Sequence, residues 1–239
     1  MLPAFADLRA AIRTYLARRV GCPEIPTSLQ RLSRNGFKPN QIFDVGAYHG
    51  DFARLCLNVW PGVNVVAFEV LEQRVAELRR MAASGLPIEV MTCLLGAENR
   101  DSVPFYEMET ASSVLEEHVH QSARLTHRSM RTVDQIVKEC CASPPDFLKL
   151  DVQGYELEVL KGAEQTLRSL KVILAEVNFL DIHKGVPLMS QVVAWLDARG
   201  WTAYDICGIT RRPLDGALWQ ADFVFTPCGS RFRSDKRWS

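Results

Sequence analysis

Four acidic residues, Asp44, Glu69, Asp151 and Glu176, stand at or near the ends of short apolar runs, IFDV, VVAFE, FLKLD and VILAE. One carboxylate in such a place would cap a helix or make a surface ion pair. Four of them can accept hydrogen bonds from hydroxyl groups or complement a cation. The first belongs to DVGAYHG, where Gly46 and Gly50 are spaced G-x-x-x-G. Glycine allows a tight turn or a close backbone approach. The spacing differs from the G-x-G-x-x-G that seats a pyrophosphate on a helix N-terminus. Asp51 opens the helix that follows, and its charge would repel a phosphate there.

The elements that must hold these residues alternate. QIFDV and VNVVAFE read as strands, DFARLCLNVW and EQRVAELRRMAA as helices, IEVMTCLL as a third strand and SVPFYEM as an extra one. Strands apolar on both faces require a parallel sheet covered by helices, so the fold class is α/β with a doubly wound sheet. Farther on, the pattern predicts a strand over Phe147 to Val152 and a helix over Tyr155 to Leu170 that buries Leu157, Leu160, Ala163 and Leu167. A strand over Lys171 to Val177 and a helix in LMSQVVAWLDARG follow. TAYDIC and ADFVFT, joined through RRPLDGA, predict an antiparallel hairpin at the edge of a mostly parallel sheet. Ligands of open α/β sheets gather beyond the carboxyl ends of the strands, which lines the four acids along one edge.

Residues 1–38 read as a helical preface to a domain spanning 39–239. Leu2, Phe5, Leu8, Ile12 and Leu16 mark one helix face; a second helix has Thr27 or Ser28 as its cap and Gly36 as its stop. The preface packs on the domain or, as the sharper alternative, forms a homodimer contact. The stretch from Glu107 to Met130 is polar and without period, the expected lid or acceptor-contacting loop, with Ser112 and Ser113 as candidate ligand contacts. His118, His120 and His127 lie in it at spacings that do not match a helical metal pair, and no metal is expected.

Lys+Arg and Asp+Glu balance at 28 each, so no net field recruits nucleic acid or an anionic membrane. No run approaches the length of a membrane span, and the first residues lack the pattern of a signal peptide. The seven cysteines include no CxxC pair, which argues for a reducing compartment and a cytoplasmic location.

The glycine loop and Asp51 disfavour NAD and FAD. They suit S-adenosylmethionine, which has no phosphate and whose sulfonium and ammonium charges acids can complement; Glu69 is placed to accept its ribose hydroxyls. The chain also resembles a known family. FDVGAYHGDF, FEVLEQ, RTVDQIV, ADFVFT, RSDKRW and above all DFLKLDVQGYELEVLKGAEQTL are similar to the FkbM family of class I S-adenosylmethionine-dependent methyltransferases, over roughly residues 37–238.

The resemblance implies a Rossmann-like fold and O-methylation of a hydroxyl on a sugar or secondary metabolite. It implies that Asp44, Gly46, Ala47, Tyr48 and Gly50 lie against the methionine part and ribose of the cofactor. Glu69 would hold the ribose, Cys93 and Leu94 would border the adenine, and Asp151 would stand beside the reacting centre. Tyr48 replaces the asparagine frequent in the family, and Gln153 replaces a frequent glutamate. Asp151 is the first catalytic candidate, either as a general base or as an electrostatic partner of the cofactor cation, and His183, after the fifth strand, is the second. A noncatalytic binding module that retains this fold is the alternative, and Tyr48 is the feature that points to it.

Overall fold

The computed structural model describes residues 21–108, 112–118, 123–140 and 143–238. The helix read at residues 2–16, with the dimer contact assigned to it, lies outside the described residues, as does His120. Helix α1 (Ile25–Arg34) leads into β1 (Gln41–Val45), α2 (Asp51–Val59), β2 (Asn64–Phe68), α3 (Glu72–Ala83) and β3 (Ile88–Met91). Strands β4 (Leu94–Leu95), β5 (Arg100–Glu107) and β6 (Arg124–Arg131) make a separate small sheet of order β4-β6-β5. The chain continues through α4 (Val133–Cys140), β7 (Phe147–Leu150), α5 (Glu156–Lys161), β8 (Val172–Asn178), α6 (Met189–Asp197), β9 (Trp201–Arg211) and β10 (Leu218–Pro227).

The main sheet has the order β3-β2-β1-β7-β8-β10-β9. Its first five strands are parallel, while β10 runs antiparallel to both β8 and β9. The expected edge hairpin is present, with its second strand on the inside. Strand side chains alternate between faces, and each face has its own helical layer. Ile42 and Phe147 pack with Leu29 and Leu32 of α1, Ala53 and Cys56 of α2, and Leu78 and Met81 of α3. Phe43, Val45, Leu148 and Leu150 pack with Val133 and Ile136 of α4, Val159 and Leu160 of α5, and Val192 and Leu196 of α6. The same alternation puts Asp44 on the face of Ile42 and Lys149 on the face of Phe147. Asp44 and Lys149 are partners in register between β1 and β7.

Four sequence expectations are corrected. The 107–130 stretch, read as loop, contains β6, whose residues are exposed or half-buried except for Met130, so no apolar alternation marks it. IEVMTCLL divides into β3 and β4, which belong to different sheets. Helix α1 starts at Ile25 with Glu24 in the N-cap position, so Thr27 and Ser28 lie within its first turn, and Ser28 is buried and donates to Asp205 Oδ2 at 2.5 Å. The helix expected to reach Leu170 stops at Lys161 and resumes only as a short 3-10 turn, Thr166–Arg168. There Asp134 accepts the amides of Gln165 and Thr166 at 2.9 and 2.8 Å and fixes the new start.

Gly162, at the break, presses against Gly96, and a Cβ built on it would lie 2.0 Å from the Gly96 carbonyl oxygen. Gly162→Ala is expected to cost about 1–3 kcal/mol by overpacking. Gly229→Ala, where an added Cβ meets nothing within 4 Å, is expected to be near neutral. Urea unfolding of the two variants checks the contrast; equal midpoints would contradict the packing described.

Candidate active site

The strand order reverses between β1 and β7, and a cavity of about 250 Å³ opens beyond their carboxyl ends. Gly46, Tyr48, Glu69, Cys93, Leu94, Ser112 and Asp151 of the predicted set all line it. Phe68, Leu95, Phe105 and Tyr155 supply apolar wall, and Val114 comes in from the segment after β5.

The glycine loop is built by close approach. Gly46 has φ 76°, and a Cβ there would stand 1.9 Å from the carbonyl oxygen of Asp151, so the β1 and β7 turns touch through bare backbone. The amides of Gly46 and Ala47 both donate to the Phe68 carbonyl at 3.1 Å, which ties the loop to β2. Gly50 is the N-cap of α2, faces Leu78 and Met81 of α3, and does not line the cavity; neither does Ala47.

Tyr48 has φ 47°, a left-handed conformation that asparagine tolerates better than an aromatic residue. Its placement is held from two sides. The Tyr48 amide donates to Glu69 Oε2 at 2.9 Å, and the Arg74 guanidinium lies 4.5 Å from the ring centroid and donates to the hydroxyl at 3.2 Å.

Glu69 organises the end of β2. Its Oε1 accepts the amides of Val70 and Leu71 at 2.7 and 2.9 Å, and its Oε2 that of Tyr48. Three of about four carboxylate lone-pair sites are used in this way, so one remains, on Oε2.

Beneath the loop, Asp44 is 0% exposed and forms no part of the cavity wall. Lys149 Nζ lies 3.2 Å from Asp44 Oδ1, an ion pair not aligned as a hydrogen bond. The same ammonium donates to the Gly46 carbonyl at 2.8 Å and stands 3.5 Å from Asp151 Oδ2. Burial opposes its charge, but Asp44 and Asp151 outweigh burial and raise the Lys149 pKa. Burial raises the Asp44 carboxyl even though Lys149 pulls the other way.

The turn after β7 carries the second carboxylate of the cavity. Gln153 Nε2 donates to Asp151 Oδ1 at 3.0 Å and to Glu176 Oε2 at 3.1 Å. Gln220 Nε2 also donates to Glu176 Oε2, at 2.7 Å. Burial, followed by the charge of Asp151, pushes Glu176 well above the ordinary carboxylate range. Glu156 Oε1 accepts the amides of Val152 and Gly154 at 2.9 and 3.2 Å, and burial pushes its carboxyl up to about 7. Glu176, expected on the ligand edge, therefore lies behind Gln153 rather than in the cavity lining.

Two other candidates are placed differently from expectation. Ser113 is buried and donates to the Gln153 carbonyl at 2.8 Å, so it fastens the 112–118 segment rather than facing the cavity. His183 is 2% exposed, lies outside the cavity lining, and packs 3.6 Å from Glu117 on that segment. Burial lowers its pKa. The sequence reading gave no role to Lys149, yet a lone lysine inside the apolar strand FLKL is the signal that marks it.

The model of the Methyltransferase FkbM domain matches residues 44–202, about two thirds of the chain. The chain belongs to that family. A curated relative, the hexuronic acid methyltransferase AglP of Haloferax volcanii, is 27% identical over 147 residues, which are 61% of this chain and 56% of the relative. Among solved structures, a methyltransferase FkbM from Methylobacillus flagellatus KT superposes with a TM-score of 0.50 at 16% identity, over 78% of this chain and 43% of that one. The chain thus spans about half the length of these relatives, and the superposition shows that the fold is shared.

In this chain the match runs from Asp44, which pairs with Lys149 beneath the cavity, to the start of β9. This ion pair offers a direct test. Lys149→Met leaves Asp44 buried without its cation and is expected to cost about 3–5 kcal/mol. The double variant Lys149→Met with Asp44→Leu is expected to recover most of that loss. Chemical denaturation of the single and double variants reads the difference, and equal stabilities would remove Lys149 from this role.

Proposed function

We propose that the chain is an S-adenosylmethionine-dependent methyltransferase that methylates a hydroxyl group, with a sugar as the favoured acceptor. The observation that carries this reading is the cavity itself, with carboxylates Glu69 and Asp151 in its lining and apolar wall from Phe68, Leu95 and Phe105. Family membership and the sugar-acid activity in the name of the Haloferax relative support it.

The residues fit the group. The lone pair left on Glu69 Oε2 suits a ribose hydroxyl, the apolar wall suits an adenine ring, and Cys93 and Leu94 contribute to the same lining. Helix α2 begins with Asp51, which leaves its N-terminus unsuited to a phosphate. When bound, S-adenosylmethionine supplies an electrophilic methyl group on a sulfonium. Asp151 then has two tasks open to it: to complement positive charge in the cavity, and to take the proton of the acceptor hydroxyl. Lys149 and Gln153 each address a different oxygen of its carboxylate and limit its rotation. A base placed in this way contributes about 10² to 10⁴ in rate.

Val114 and Ser112, from the segment between β5 and β6, line the cavity and are the natural contacts for an acceptor. Five free cysteines among the described residues support action in a reducing compartment such as the cytoplasm. No helix among the described residues is long and apolar enough to cross a membrane.

Calorimetric titration with S-adenosylmethionine tests the reading, with NADH as the negative control. Binding is expected for the wild type. About tenfold weaker binding is expected for Glu69→Gln, which puts an amide NH₂ in place of one acceptor oxygen. Absence of wild-type binding at millimolar S-adenosylmethionine would overturn it.

A further inference from the structure

Gln153 is the second non-glycine residue with a left-handed backbone among the described residues, at φ 53°. That conformation carries a cost and persists where surrounding contacts over-determine it. Three contacts do so here. Ser113 Oγ donates to the Gln153 carbonyl, and the Gln153 side-chain NH₂ divides its two hydrogens between Asp151 Oδ1 and Glu176 Oε2. An amide nitrogen can donate to two carboxylates at once, which a glutamate at this position could not do in its ionised form.

We propose that Gln153 is a positioning residue that joins Asp151, in the cavity, to Glu176, behind it, so that Asp151 keeps a fixed orientation. Its value for methyl transfer rests on the function proposed above; the bridge itself does not. The charged and titratable groups around the pair come from every neighbouring element. Lys149 of β7 faces Asp151, and Asp44 of β1 faces Lys149. Glu156 of α5 and Asp222 of β10 both act on Glu176. Gln220 of β10 holds the same Glu176 oxygen that Gln153 holds and also reaches Asn178 Oδ1 at 3.3 Å. Glu176 Oε2 is thus fixed by two amides, and Asp151 is the member of the pair that meets the cavity.

Replacing the amide with a third carboxylate makes the prediction sharp. In Gln153→Glu, three carboxyl groups would share the space of two short contacts, and at least one must retain a proton. Titration of ¹³C-labelled carboxyl groups in the ligand-free chain reads this directly, with Asp151→Asn and Glu176→Gln used to assign the two signals. Gln153→Glu is expected to move the Asp151 titration upward by about one pH unit or more relative to the wild type. Adding Glu176→Gln, which removes one of the three carboxyl groups and preserves the shape of the network, is expected to reduce that move.

Affinity for S-adenosylmethionine, measured across the same pH range, supplies the second readout. Its fall toward acid pH is expected to begin about one unit higher in Gln153→Glu. An unchanged Asp151 curve in Gln153→Glu would overturn the proposal, even if the wild type binds S-adenosylmethionine. The upward move in a chain that fails to bind S-adenosylmethionine would uphold the bridge and overturn the methyltransferase reading instead.

Discussion

The ammonium of Lys149 is the contact on which the site depends. It is buried under the turn after β1, where it meets Asp44, the Gly46 carbonyl and Asp151. Removing a charge from water is costly, and only close partners and hydrogen bonds offset that cost. The geometry that satisfies Lys149 therefore also fixes the distance between the β1 and β7 turns. Gly46 completes the arrangement, since any side chain on it would strike the backbone of Asp151. One cation thus sets the floor of the cavity and orients one of its two carboxylates.

Around this floor, each acidic residue has its role set by what surrounds it. Asp44 is sealed in the sheet and serves the lysine; Glu69 spends most of its acceptor capacity on three amides; Glu156 shapes the turn that carries Gln153. Asp151 alone combines two oriented oxygens with a side chain 41% exposed. A carboxylate needs both access and fixed direction to act on a bound molecule, and here access and direction coincide at one residue.

The main sheet was readable because its strands are apolar on both faces and its turns carry glycine. QIFDV, VNVVAFE and FLKL give the parallel strands, and Gly46 and Gly50 locate the loop. Period alone did not reveal β6, since its stability comes from pairing with β5 and not from a buried face of its own. Nor could period foresee the break at Gly162, which arises from contact with Gly96, far away in the chain. Glu69, Cys93 and Asp151, which the family resemblance groups at one site, line one cavity. The resemblance did not separate Asp44, buried below, or His183, turned toward Glu117, from residues that meet the cavity. Whether a side chain faces a cavity depends on neighbours that only the folded chain assembles.

The position of β10 has a consequence for how the molecule comes into being. Phe223, Val224 and Phe225 fill the core from a strand lying between β8 and β9. During synthesis β8 must wait, with one row of backbone donors and acceptors open, until residue 227 has left the ribosome. The hairpin must then close and enter the sheet together with its aromatic residues, because among the described residues β9 pairs with β10 alone. For this chain, the vulnerable interval therefore lies between the synthesis of β8 and that of β10, when an apolar and unpaired sheet edge can meet another nascent chain before β10 arrives.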